Sequence, residues 1–141
     1  MALAESARSL GYRAHVGTIR SADSDYVGGG RPSVAGYFQP DHERLAETWV
    51  KAGVLCGDRE SAAIVTWARL FNRRGCGVLG GRQPLHRGPF SSGAGHGFAM
   101  RVALEGMAVL AEMDRQRDAA GLTTWLPSLG PVVADVDRAA P

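Results

Sequence analysis

The chain has 141 residues, 45% of them hydrophobic, and a net charge of +2 carried by fifteen Arg and one Lys against 14 acidic residues. A length of this order suits one domain and lets about 70% of the unfolded surface be buried. The arginines are scattered, with no run longer than Arg73-Arg74, so there is no electrostatic footprint for nucleic acid. No apolar run reaches the roughly 18 residues that a membrane span requires.

The opening MALAESARSLGYR has no basic segment followed by an apolar one, so no secretory signal is expected. Residues 2–10 have helical composition and end at Gly11. Residues 12–20 are strand-like, with Val16, Thr18 and Ile19. The next segment, SADSDYVGGGRPSVAG, is a loop in which Pro32 fixes one bend. Its three successive glycines either let the backbone approach a ligand closely or simply let the loop turn. A helix is predicted over 42–51, with Leu45, Trp49 and Ala46 facing inward and Gly53 ending it.

The most informative stretch is GVLCGDRESAAIVTWARLFN, residues 53–72. It reads as a short strand, a turn carrying Asp58, Arg59 and Glu60, and a helix. Ile64, Trp67, Ala68 and Phe71 recur at helical spacing from Ser61 and define one apolar face. Asp58 can cap the helix start, and both carboxylates stand where the positive end of the helix dipole favours them. Glu60 either supports this terminus or accepts hydrogen bonds from the hydroxyls of a sugar. Arg73, Arg74 and Gly75 read as the helix stop.

Residues 75–80, GCGVLG, are expected to form the next strand, giving a parallel βαβ unit. The same residues satisfy GxGxxG, but that motif must follow a strand and open a helix, so it is not read as a dinucleotide site. Residues 81–95 are a long loop with two prolines, suited to a lid or a bridge, with His86 and Arg87 in its middle. The longest helix is predicted over 96–117. Its stripe is Ala99, Ala103, Gly106, Leu110 and Met113, widened by Met100 and Met107 as core filler. Residues 122–141 show no strong periodicity. Cys56 and Cys76 match no metal-ligand spacing, and a reduced cytoplasmic pair with no bound metal is the plain expectation.

The alternation of helices and strands indicates an α/β fold, in which ligands bind beyond the carboxyl ends of the strands. Three segments fall there: 21–31, 56–60 and 80–87. The sequence HVGT at 15–18, SADSDY at 21–26, GGGR at 28–31, KAGV at 51–54 and DRESA at 58–62 together resemble the C-terminal half of the nucleoside phosphorylase family, nearest to the uridine phosphorylases. The resemblance runs from about residue 2 to 80, and more faintly through the last helix. It implies the C-terminal portion of an α/β sandwich around a mixed, partly closed sheet flanked by helices, with the N-terminal strands missing. On this reading residues 1–120 form the nucleoside phosphorylase-like domain and residues 121–141 a loosely attached tail.

The family's members break the N-glycosidic bond of a nucleoside with inorganic phosphate and need no other cofactor. They are usually hexamers built from dimers. By position, the resemblance assigns Glu60 to the ribose hydroxyls and Arg31 to a carbonyl of the pyrimidine. A cation there stabilises charge developing on the departing base, which makes Arg31 the catalytic candidate. Arg59 stands in the ribose signature where the family usually has Met. Asp25 replaces an aromatic that stacks on the base, and Gly29 replaces a Gln that reads the uracil edge. Asp25 and Arg59 bring charge to positions the family keeps apolar. The Gly80-Gly81-Arg82 segment lacks the Asp of purine-specific relatives, which leans away from purines. The family's phosphate site, a Gly-rich turn and arginines of the N-terminal half, has no counterpart here. A bare sheet edge is therefore expected, open to pairing with an N-terminal-half chain or another copy. Two functions follow: a pentosyltransferase acting with such a half, or an inactive or repurposed nucleoside-binding relic.

Overall fold

The computed structural model describes residues 1–24, 26–30, 32–42, 44–80 and 95–133. Its regular elements are α1 (Ala2–Ser9), β1 (Ile19–Ser21), α2 (Leu45–Lys51), β2 (Cys56–Asp58), α3 (Ser61–Leu70) and α4 (His96–Ala119). Short 3-10 turns occupy Val27–Gly29, Val34–Gly36, Pro40–His42 and Pro127–Leu129. The architecture is thus α/β, with a two-stranded parallel sheet. The chain divides into two units: Met1–His15 with residues 78–80 and 95–133, and Val16–Gly77. Among the described residues no helix is long and apolar enough to cross a membrane.

The first unit is α1 packed on α4. The buried stripe of α4 is Val102, Gly106, Val109 and Met113, a spacing of i, i+4, i+7 and i+11. It meets Ser6 and Ala7, the buried residues of α1. Gly106 has a packing role: a Cβ there would stand 2.6 Å from Leu3 Cδ2, so its absence lets the helices approach. The buried Ser6 hydroxyl donates to the Val102 carbonyl at 2.9 Å, satisfying a polar group that could not otherwise be buried cheaply. Tyr12 meets Phe98 edge-on at 4.9 Å, and Arg101 Nη1 donates to its hydroxyl at 3.2 Å.

The stripe differs from the sequence expectation, because α4 is apolar on two faces. Met100, Leu104 and Met107 form a second row and are exposed, at 61, 68 and 69%. These two methionines are therefore not core filler for this unit, although Met113 is. Beyond α4, Gly121 takes a left-handed φ of 67° and closes the helix, with Leu122 N donating to the Arg117 carbonyl. The Trp125 indole then donates to Gln116 Oε1 at 2.8 Å, and Gln116 Nε2 donates to the Pro131 carbonyl at 2.9 Å.

In the second unit β1 and β2 pair in parallel, Ile19 opposite Cys56, Arg20 opposite Gly57 and Ser21 opposite Asp58. The connection between them carries α2, so the crossover is β1–α2–β2. The strand expected over 12–20 is confined to its last residues because β2 offers little to pair with. Gly53, at φ 74°, turns the chain out of α2, and the ladder's flanking bonds run only from Leu55 N to the Thr18 carbonyl and from Ala22 N to the Asp58 carbonyl. Val16 stays exposed.

Helix α3 forms as its periodicity predicts. The stop lies at Asn72, whose φ of 51° is left-handed, with Arg73 N donating to the Ala68 carbonyl. The apolar face of α3 is exposed, with Trp67 and Phe71 stacked at 5.4 Å. No strand forms over 75–80. Residues 75–77 lie against α3 instead. A Cβ on Gly75 would stand 2.7 Å from Ala68 Cβ, and one on Gly77 would collide with Ser61 Oγ and come within 3.2 Å of Ile19 Cδ1. Gly75 and Gly77 of GCGVLG thus serve close packing against a helix.

Candidate functional site

The parallel register decides what the site can contain. Ser21 and Asp58 are the last residues of their strands and lie opposite each other. The loop after β1 and the DRES junction after β2 therefore leave the sheet from the same end, its carboxyl end, where such sheets place their ligands.

The junction is held by hydrogen bonds among four residues. The Ser21 hydroxyl donates to Asp58 Oδ1 at 2.7 Å and accepts from Ala62 N at 2.9 Å. Asp58 Oδ2 accepts from Ser61 N at 3.1 Å and also from the Ser61 hydroxyl. Asp58 thus caps α3, as its position suggested, and also reaches back to β1. Burial pushes the Asp58 carboxyl upward, but the hydrogen bonds from Ser61 and Ser21 outweigh it and hold the group below the usual carboxylate range. Burial, seconded by the Asp58 charge, pushes the neighbouring Cys56 thiol up. Cys56 and Cys76 are both free.

Glu60 immediately precedes α3 and is exposed. Its carboxylate accepts from the Arg59 amide at 3.0 Å and lies 3.8 Å from Arg59 Nε. Arg59 and Glu60 are therefore side by side, facing solvent. In the loop after β1, Gly29 is buried in the turn Val27–Gly29. Arg20 Nη1 donates to the Gly28 carbonyl at 2.7 Å, tying that turn to β1. The guanidinium crosses β2 at Gly57, where a Cβ would stand 3.2 Å from Arg20 Nη2. The Ser24 hydroxyl accepts from Tyr26 N at 3.1 Å and narrows the loop. Asp25, Arg31, His86 and Arg87 lie outside the described residues. Among the described residues no group of three or more His, Cys, Asp or Glu is placed to hold a metal ion.

Sequence reading missed the roles of Arg20, Ser21 and Ser61. A serine at a strand end carries no signal until the pairing is known, since only the register brings Ser21 opposite Asp58, 37 residues away.

No protein-family model matches the chain, and no solved structure matches it. Among curated proteins it is similar to one named uridine phosphorylase from Thermococcus kodakarensis. The identity is 36% over 132 residues, which is 92% of this chain and 46% of that protein. The chain is uridine phosphorylase-like in sequence, and it spans about half the length of that relative, 46%.

Proposed function

We propose that this chain binds a nucleoside or nucleobase and, together with an N-terminal half of the same family, cleaves the N-glycosidic bond with inorganic phosphate. The similarity to a uridine phosphorylase supports the reading. The observation that carries it is the register of Ser21 opposite Asp58, which sends the base-loop segment and the ribose-signature segment from one end of the sheet. In this reading Glu60 accepts hydrogen bonds from the ribose hydroxyls, and Arg59 lies beside it in the same signature. Arg31 bears on the pyrimidine carbonyl, with Asp25 and Gly29 beside the base. Phosphate attacks the anomeric carbon, and the bonding pair leaves with the base, whose developing negative charge Arg31 stabilises. His86 and Arg87 belong to a lid. The chain works in the cytoplasm as a homo-oligomer or paired with the complementary half, in a sandwich whose other strands that half supplies.

A second reading, a repurposed or inactive nucleoside-binding protein, draws support from Arg59. Its guanidinium stands 3.8 Å from the carboxylate assigned to ribose and offsets the charge there. Calorimetric titration with uridine tests the shared premise. Glu60→Ala should weaken binding by about several-fold to a few hundred-fold, since hydrogen bonds to a charged group contribute about 1.5–3 kcal/mol each. Equal affinity in a folded variant would leave Glu60 as no more than part of the helix terminus.

A further inference from the structure

The hydrogen bonds around Asp58 join two segments to which the nucleoside reading gives different halves of one ligand. The Ser21 hydroxyl ends β1 just before the base loop, and Ser61 and Ala62 open α3 just after Glu60. We infer that Ser21 and Asp58 form a clamp that holds the base loop against the ribose junction, which makes them positioning residues for a ligand spanning both. The inference rests on the nucleoside reading.

The chemistry of the clamp is closed on both sides. The Ser21 hydroxyl spends its proton on Asp58 Oδ1 and a lone pair on the Ala62 amide. Asp58 Oδ2 takes the amide and the hydroxyl of Ser61. The backbone repeats the tie one residue on, Ala22 N donating to the Asp58 carbonyl at 2.9 Å. Ser61 is 6% exposed, and its hydroxyl lies against Gly77, where a Cβ would collide with it. Arg20 extends the hold to the middle of the loop through the Gly28 carbonyl. Loss of the Ser21 hydroxyl strips a partner from Asp58 and from the Ala62 amide at once. The cap on Ser61 survives, so the helix remains while its tie to the loop weakens. A ligand that touches both segments then has to organise them itself on binding. A base alone touches one segment and has no such cost.

The test compares uridine with uracil by calorimetry in the wild type, Ser21→Ala and Ser21→Thr, with hydrogen exchange at the Ala62 amide as a ligand-free readout. Uridine affinity should fall about tenfold in Ser21→Ala, with uracil changed by no more than about twofold. Ser21→Thr, which keeps the hydroxyl, should restore uridine binding, and Ala62 exchange should accelerate only in Ser21→Ala. If Ser21→Ala does not fold, Asp58→Asn replaces it and should separate uridine from uracil in the same direction. Wild-type binding of uridine with unchanged affinity in the variant, or equal losses for uridine and uracil, overturns the clamp and leaves the nucleoside reading standing. Absence of uridine binding by the wild type overturns the nucleoside reading, and the inference with it.

Discussion

Asp58 accepts three side-chain-directed hydrogen bonds through two oxygens, and each is better made to the ionised form. That gives its contribution to folding a defined pH dependence. Its pKa is depressed in the folded protein, so the native state binds the proton less readily than the unfolded chain. The contribution is present above the unfolded value of about 3.9 and is lost as pH falls through the lower folded value. Asp58→Asn removes the titration. Urea denaturation midpoints of the two proteins should therefore differ at pH 6 to 7, and the gap should begin to close only below about pH 4, as pH falls toward the lower folded value. A gap that stays constant with pH would mean that Asp58 acts without its charge. Glu60 makes a contrast two residues on: it is exposed, and its partner is the adjacent Arg59, while the carboxylate of Asp58 is occupied by the fold.

Among the elements, helices were more legible than strands: the short strand before the DRES turn formed, but the strand over 12–20 formed only at its end and the one over 75–80 did not form. The stripe from Ser61 predicted α3 almost to its end, because an i, i+3, i+4 pattern is local and depends only on which residues follow one another. Strands depend on a partner. Residues 12–17 had the composition for one and no strand partner among the described residues, and GCGVLG had a place in the order but its first residues were drawn against α3. The same reason separates the candidate site into two parts. Asp58 as a cap and Glu60 at a helix start could be read from the sequence, whereas Ser21 required the register, which alone brings it to Asp58. The glycine of this segment makes the point testable. Gly77→Ala sets a methyl against Ser61 Oγ, which Asp58 already holds, and 3.2 Å from Ile19 Cδ1. Neither neighbour can yield without disturbing the clamp or β1. The variant should lose about 1–3 kcal/mol in urea denaturation, the usual range for overpacking. A loss below about 0.5 kcal/mol, the range of an indifferent surface change, would show that this approach is not tight.

At the scale of the molecule, each unit carries an apolar face that it does not itself cover. On α4 it is Met100, Leu104 and Met107; on α3 it is Ile64, Trp67 and Phe71. The buried apolar residues among those described are Ala7, Val102, Val109 and Met113. An apolar row on a helix normally faces other protein rather than water. Each strand of the parallel pair also has one edge that no other strand covers among the described residues, an arrangement rarely left open because parallel sheets are normally covered. Under the proposed function, the cover is a complementary half of the same fold. Phosphorolysis gives this proposal a decisive assay. The reaction needs phosphate held in line behind the anomeric carbon by several oriented donors, and positioning of that kind can supply roughly 7–11 kcal/mol of the barrier. The family resemblance assigns those donors to the N-terminal half. These 141 residues by themselves should therefore bind uridine yet release no uracil in a phosphate-dependent way. Adding a family N-terminal half, fused or in trans, should bury the outer faces of α3 and α4 and restore phosphate-dependent release of base. The readout is free uracil with and without phosphate for each protein. Robust phosphorolysis by these residues alone would place a phosphate site within them, at Arg59, Arg82 or a neighbouring cation. A fused protein that binds uridine and stays silent would turn the assignment to the repurposed reading, with Asp25, Gly29 and Arg59 as the substitutions to reverse first.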